Sequence, residues 1–185
     1  DVDRIVALRK SILEIEKRWG IRSSGRSFGA ENQNHSSLAT GISDFDNATG
    51  FDGVPRARLT EIMGGLSSGK MTLTVQLLKN VTERGGLAAC IDMASSLYPP
   101  SLETGGVDLD RLLMIRPIDC KSAFQSALIL LGRDAFDLVV IVIDQNVSRS
   151  SYLARITALI SHQRAACVLL TNPRTYQNAS IRHFA

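Results

Sequence analysis

The first residues of the chain carry a helical pattern of apolar positions. Between residues 3 and 19, apolar side chains recur at alternating spacings of three and four, which places them on one face of a helix. The members of this stripe are Ile5, Leu8, Ile12, Ile15 and Trp19. Gly20, typical of a helix C-terminus, follows, and residues 21–37 are rich in Ser, Gly and Asn. The pattern predicts a helix over residues 1–20, for oligomerisation or packing, and a linker over residues 21–37.

Beyond residue 38 the pattern changes to alternating strands and helices. Short apolar runs predict strands over residues 59–63, 87–92, 112–115, 138–143 and 167–171. Helical periodicity between them predicts helices over residues 70–83, 121–132 and 152–163. The run Leu138–Ile143 is almost continuously β-branched, as in a strand buried on both faces of a parallel sheet. The alternation predicts an α/β fold, with a mostly parallel central sheet and helices on both faces.

A glycine-rich motif lies between the first of these strands and the first helix. Its residues are Gly64, Gly65, Leu66, Ser67, Ser68, Gly69 and Lys70. They match G-x-x-x-x-G-K, a loop whose backbone N–H groups surround a phosphate while its lysine reaches the outer phosphate oxygens. The helix N-terminus adds a positive dipole end. The motif predicts a phosphate-binding loop, the alternative being a glycine-rich turn with no ligand.

The metal-binding partners of such a loop are incomplete. The residue after the lysine usually carries a hydroxyl that coordinates Mg²⁺, but Met71 stands here. Thr72 is one residue further, about 100° around the helix, and cannot simply replace it. Asp144 ends the run that begins at Leu138, where a second Mg²⁺ ligand would lie. Asp144 is therefore a candidate for the nucleotide site, or else a strand-end cap.

Cysteine usage and hydropathy bound the class of protein. Cys90 and Cys167 lie in apolar strand-like runs, which is typical of reduced thiols in a protein core. No apolar run approaches the ~20 residues that span a bilayer, and the charged start of the chain does not match a signal peptide. These features favour a cytoplasmic protein without a membrane association.

The charge of the chain is unevenly distributed. The net charge is +3, but residues 147–185 contain no Asp or Glu. That stretch holds Arg149, Arg155, Arg164, Arg174 and Arg182. The acid-free segment indicates either a polyanion or acidic partner, or simply a solvated basic face.

Several segments resemble the RecA family of recombinases. The resemblance runs without gaps through residues 40–62, includes Ser67–Lys70 as the RecA form of the loop, and continues at Ala89–Asp92. It implies a RecA-like P-loop core over residues 38–185 that is truncated at its C-terminus. The N-terminal helix resembles the one with which RecA packs on its filament neighbour, which implies a homo-oligomer. Folding of that helix back onto its own core is the alternative.

The chain departs from this family at the positions that carry chemistry. The general base that RecA uses is replaced by Ala94, and the glutamine that senses the γ-phosphate is replaced by Pro173. The base-stacking tyrosine falls at Ser101. Since a positioned general base contributes ~10²–10⁴-fold to a rate, these departures predict a degenerate ATPase site with no catalytic residue.

Such a combination resembles the ImuA family, RecA-like proteins of bacterial mutagenesis cassettes. That resemblance implies an accessory or scaffold protein in damage-induced (SOS) translesion synthesis, with an ImuB-like Y-family polymerase homologue as partner. RecA and single-stranded DNA are further implied partners. The resemblance implies that ATP or ADP is bound weakly or not at all, and it does not decide whether Mg²⁺ is bound. The alternatives are a divergent RecA-family ATPase that binds nucleotide and DNA, and a SulA-like cell-division inhibitor.

Overall fold

The fold is defined by a computed structural model that describes residues 36–49, 51–143, 151–172 and 180–184, the last range as backbone only. The predicted N-terminal helix, Asp144 and Pro173 lie outside the described residues.

The described elements alternate between strands and helices along the chain. The strands are β1 (Ser37–Leu38), β2 (Val54–Pro55), β3 (Leu59–Met63), β4 (Ala88–Asp92), β5 (Leu112–Ile115), β6 (Leu138–Val142), β7 (Ala166–Thr171) and β8 (Ser180–Phe184). The helices are α1 (Ser43–Thr49), α2 (Lys70–Glu83), α3 (Pro99–Thr104), α4 (Cys120–Leu131) and α5 (Ser151–Ile160), with a 3₁₀ turn at Leu109–Arg111.

In the described part of the chain, the main sheet has six strands in the order β5-β4-β6-β7-β3-β8. Five of them are parallel, and β8 joins the edge antiparallel to β3. Because parallel strands end at the same edge of a sheet, the loops after β3, β4 and β7 emerge together. β1 and β2 form a separate antiparallel pair.

Helices cover both faces of the sheet. On one face, α2 and α3 pack through Leu73, Leu77 and Leu102 against alternate residues of the strands. On the other face, α4 and α5 pack through Phe124 and Ile156. Every residue of β4, β6 and β7 is buried, as expected for central strands of a doubly covered sheet. The predicted α/β class is therefore confirmed.

The five predicted strands and three predicted helices are confirmed, with ends that shift by up to three residues. Cys90 and Cys167 lie in the core as predicted. Burial raises the pKa of the Cys167 thiol to about 12. Burial, and secondarily the charge of Asp92, raises the pKa of the Cys90 thiol. Both thiols therefore stay protonated and unreactive at neutral pH.

The described elements that the pattern does not predict include α1, α3 and the β1–β2 pair. α1 is held through Asp46, whose carboxylate accepts the Thr40 hydroxyl at 2.6 Å and the Thr40 backbone N–H at 3.0 Å. α3 begins at Pro99, within a segment whose sequence indicates only a rigid turn. β1 includes Ser37, inside the predicted linker, which pairs with Pro55.

The turn after β4 is organised by one buried carboxylate. Asp92 is fully buried, and its two oxygens accept the backbone N–H of Ser96 at 3.1 Å and that of Leu97 at 2.8 Å. The Ser96 hydroxyl adds a third bond at 3.3 Å. Asp92 therefore fixes the path of the chain from β4 towards α3.

We expect Asp92→Ala to lower the free energy of unfolding by about 2–3 kcal/mol, because it leaves the N–H of Leu97 buried without an acceptor. Asp92→Asn keeps one acceptor oxygen and should cost less. Urea denaturation followed by circular dichroism measures both. Asp110→Ala is the matched control, because its carboxylate is exposed and its loss should cost less than about 0.5 kcal/mol. Equal stabilities of Asp92→Ala and Asp110→Ala would contradict this role.

Candidate phosphate-binding site

The predicted phosphate loop connects the end of β3 to the start of α2. β3 ends at Met63 and α2 begins at Lys70, as the sequence predicts. The backbone N–H of Gly64 donates to the carbonyl of Thr171 at 3.3 Å, which ties the start of the loop to the end of β7. The loop is thus anchored on both sides, by its own strand and by the neighbouring one.

The backbone of the loop adopts the conformations that an anion cradle needs. Ser67 and Gly69 have positive φ angles of 59° and 82°, and alternation of this kind turns successive N–H groups towards a common point. A Cβ atom added at Gly65 or Gly69 would meet nothing within 4 Å, so open space borders the loop. No side chain caps the N-terminus of α2. These features fit a phosphate group bound at the helix N-terminus.

Lys70 is half-buried, and the described partners of its ammonium group include a backbone carbonyl and a side-chain amide. It donates to the carbonyl of Gly64 at 2.6 Å and to the side-chain oxygen of Asn172. Asn172 follows β7 directly and is 102 positions away from Lys70 in sequence. The motif did not single out Asn172, and only the pairing of β3 with β7 brings the two residues together.

Residues Met71 and Thr72 take different environments at the start of α2. Met71 is partly buried and packs against the apolar core, where a thioether is a poor ligand for a hard cation. The Thr72 side chain is exposed. Among the described residues, no group of three or more His, Cys, Asp or Glu side chains could hold a metal ion. The described part of the loop therefore offers donors to a phosphate group, while Met71 supplies no hydroxyl to a cation.

The end of β4 offers no general base among its described side chains. Asp92 is fully buried and already accepts bonds from Ser96 and Leu97. Ala94 packs partly buried against the core. A water-activating base needs a free acceptor within hydrogen-bond reach of the attacking water, and neither residue provides one.

A buried pair of polar side chains joins two strands of the sheet below the loop. Glu61 on β3 is 4% exposed and Thr171 on β7 is 1% exposed. The hydroxyl of Thr171 donates to the Glu61 carboxylate at 3.0 Å. This contact joins side chains of the two strands whose ends carry Gly64 and Asn172, so it helps to fix their relative position.

The other predicted site residues are distributed unevenly. The tip of the loop is exposed, and Leu66 reaches 92% exposure. Ser67, Ser68 and Gly69 are also exposed. Asp144, the second candidate ligand for Mg²⁺, lies outside the described residues.

None of the described helices is both long and apolar enough to cross a membrane.

The chain is similar to known proteins of one family. The model of the RecA N-terminal domain matches residues 6–166. The protein named RecA from Rubrobacter xylanophilus is 38% identical over 140 residues, which cover 76% of this chain and 41% of that protein. RecA from Bifidobacterium longum is 36% identical over 76% of this chain and 36% of its own length. RecA from Mycoplasma mycoides is 36% identical over 72% of this chain and 39% of its own length. The chain thus spans about two fifths of the length of these relatives.

We expect Lys70→Ala to weaken the binding of inorganic pyrophosphate by about tenfold or more, since a charge-assisted hydrogen bond to the anion is lost. Isothermal titration calorimetry measures the affinity. Lys79→Ala is the matched control: Lys79 lies on the same helix, and its ammonium pairs with Glu83 at 3.6 Å. Equal affinities of the two variants would show that the loop is not the anion site.

Proposed function

Because the chain belongs to the RecA family, we propose that it is an ImuA-like accessory protein that serves damage-induced translesion synthesis as a scaffold. In this role it binds a Y-family polymerase homologue, and its loop binds a phosphate group without hydrolysing it. RecA and single-stranded DNA are further partners in this proposal.

The observation that supports the proposal is a phosphate loop that keeps its backbone geometry while Met71 and Ala94 stand where a metal ligand and a general base are needed. The loop keeps its left-handed residues and the lysine. Met71 places a thioether in the core where Mg²⁺ needs a hydroxyl, and Ala94 offers no base to activate water. Binding of phosphate needs only the cradle, whereas hydrolysis needs the missing groups as well.

The domain organisation fits a scaffold. We propose that residues 1–20 form an amphipathic helix that docks on a neighbouring molecule, and that residues 21–37 act as its tether. In this proposal the tether lets the helix reach a second copy of the chain, which gives a homo-oligomer. The core from residue 38 then supplies the surface that contacts the polymerase homologue.

We expect the full chain to bind the Y-family polymerase homologue of the same mutagenesis cassette, with an affinity that Lys70→Ala leaves unchanged. The reason is that Lys70 is half-buried and bonds to Gly64 and Asn172. Isothermal titration calorimetry measures the complex, with RecA's own recombinase core as a fold-matched control. Absence of a complex with the full chain, or equal binding by the control, would refute the scaffold role.

A divergent RecA-family ATPase is the second candidate, favoured by the intact loop and Lys70. The exposed Arg155 and Arg164 also support contact with DNA phosphates. This candidate predicts nucleotide hydrolysis that stops when the lysine is removed.

We expect phosphate release from ATP by the wild-type chain to equal that of Lys70→Ala, in the presence of Mg²⁺ and single-stranded DNA, because no described group activates water. Steady-state phosphate release measures this, and Lys79→Ala controls for changes in α2. Release that persists in Lys79→Ala and disappears in Lys70→Ala would replace the scaffold role with the ATPase.

A further inference from the structure

An open cleft lies at the same edge of the sheet as the phosphate loop, but beside different strands. It has a volume of about 520 Å³, and its lining consists of Tyr98, Pro99, Pro100, Met114 and Arg116. Tyr98 follows β4 and Arg116 follows β5, whereas the phosphate loop follows β3, which β7 and β6 separate from β4. The cleft, named here the Tyr98 cleft, is therefore a feature distinct from the loop, with a volume in the range of ligand-binding clefts.

The wall of the Tyr98 cleft is held by contacts on both sides of the tyrosine. Leu97 is buried, its N–H donates to the carboxylate of Asp92 at 2.8 Å, and its carbonyl accepts a bond from Arg116 at 3.2 Å. On the other side, the first two residues of α3 are prolines, and each ring fixes its own φ angle. Because this wall is already ordered, a partner that binds there pays little conformational entropy for it.

The side chains of the cleft are of the kinds that dominate protein–protein contacts. Tyr98 is 66% exposed, and Ile118, two positions after Arg116, is 95% exposed. Tyrosine and arginine are enriched among the interface residues that contribute most to affinity. Met114 adds a flexible thioether, which adapts its shape to an apolar group. This composition favours a protein segment with an apolar side chain as the occupant of the cleft.

Arg116 supplies the charge that such an occupant has to match. Its guanidinium group has five N–H donors, and the carbonyl of Leu97 accepts from one of its nitrogens. In the part of the chain that the structure describes, no carboxylate forms an ion pair with Arg116. The planar guanidinium can therefore bind a carboxylate of a partner through two parallel hydrogen bonds. An arginine beside apolar walls selects an acidic group that adjoins an apolar one.

The start of α3 does not offer a comparable site to the phosphates of a nucleotide. Its first two residues are prolines and lack an N–H group. The N–H groups of Ser101 and Leu102 donate to the carbonyl of Tyr98 at 3.0 and 3.1 Å. A nucleic-acid backbone is held by several cations at once, whereas the described lining of the cleft supplies the single cation of Arg116. The cleft thus favours an acidic protein segment over a nucleotide or a nucleic acid.

We propose that the Tyr98 cleft is the docking site for a protein segment in which an apolar side chain lies next to a carboxylate. The apolar side chain packs between Tyr98 and Met114, and the carboxylate binds Arg116. The proposal rests on the proposed scaffold function, under which this segment belongs to the Y-family polymerase homologue, and it names the surface that the homologue contacts.

We expect Tyr98→Ala and Arg116→Glu each to weaken the complex of the full chain with the polymerase homologue by about tenfold or more, as is typical of central interface residues. Biolayer interferometry measures the affinities, and circular dichroism checks that each variant is folded. Ile129→Ala and Arg133→Glu are the matched controls, because both residues are exposed and lie outside the cleft. Both controls should bind like the wild-type chain.

A second comparison separates recognition of charge from a structural role of Arg116. Arg116→Gln and Arg116→Glu both remove the guanidinium group that bonds to Leu97, but only the glutamate repels a carboxylate of the partner. Binding should therefore be weaker in Arg116→Glu than in Arg116→Gln. The affinity of Arg116→Gln should also depend less on salt than that of the wild-type chain, because salt screens an ion pair. Equal affinities of the two variants, with the salt dependence of the wild type, would overturn the role of Arg116 in recognition.

The outcomes distinguish failure of the docking site from failure of the scaffold role. Absence of a complex with the wild-type chain removes the scaffold role and the docking proposal together. A complex that Tyr98→Ala and Arg116→Glu leave as strong as the two controls overturns the docking site and leaves the scaffold role intact. Binding of ATP or of a labelled single-stranded oligonucleotide that Tyr98→Ala weakens, with the polymerase complex unchanged, makes the cleft a nucleotide contact and also overturns the proposal.

Discussion

The parallel pairing of β3 with β7 is the constraint on which the candidate site depends. Its register sets Met63 beside Thr171, so that the next residues, Gly64 and Asn172, leave the sheet at adjacent points. The N–H of Gly64 reaches the carbonyl of Thr171, and the side chain of Lys70 reaches both Gly64 and Asn172. A shift of one residue would turn every side chain of the shifted strand to the opposite face and separate this set. The buried Glu61–Thr171 contact makes such a shift costly.

The sequence predicts the parts of the fold that depend on local pattern. The strand at residues 138–142 is buried on both faces, and its continuous β-branched run indicates this directly. The helix at residues 70–83 follows from its periodicity and from the glycine that precedes it. The helix at Pro99 was missed because its six residues are too few to show a period. Proline is tolerated in a first helical turn, but it equally favours a rigid turn.

The contact between Lys70 and Asn172 could not be predicted, because it depends on strand order. The two residues are 102 positions apart, and no local pattern says that β7 lies beside β3 rather than beside β4. The glycine motif predicts which residues form the cradle, and in the structure these residues connect β3 to α2. The motif does not predict that Asn172 lies beside Lys70.

The geometry of the phosphate loop serves the fold as well as ligand binding, so a chain can keep the loop without keeping hydrolysis. Gly69 has a left-handed conformation that turns the chain from the loop into α2, and this requirement does not depend on hydrolysis. Met71 exchanges a hydroxyl for apolar contacts with the core, which stabilise the same helix. In the proposed scaffold role the loop binds a phosphate group without hydrolysing it, and these requirements of the fold are enough to keep its geometry.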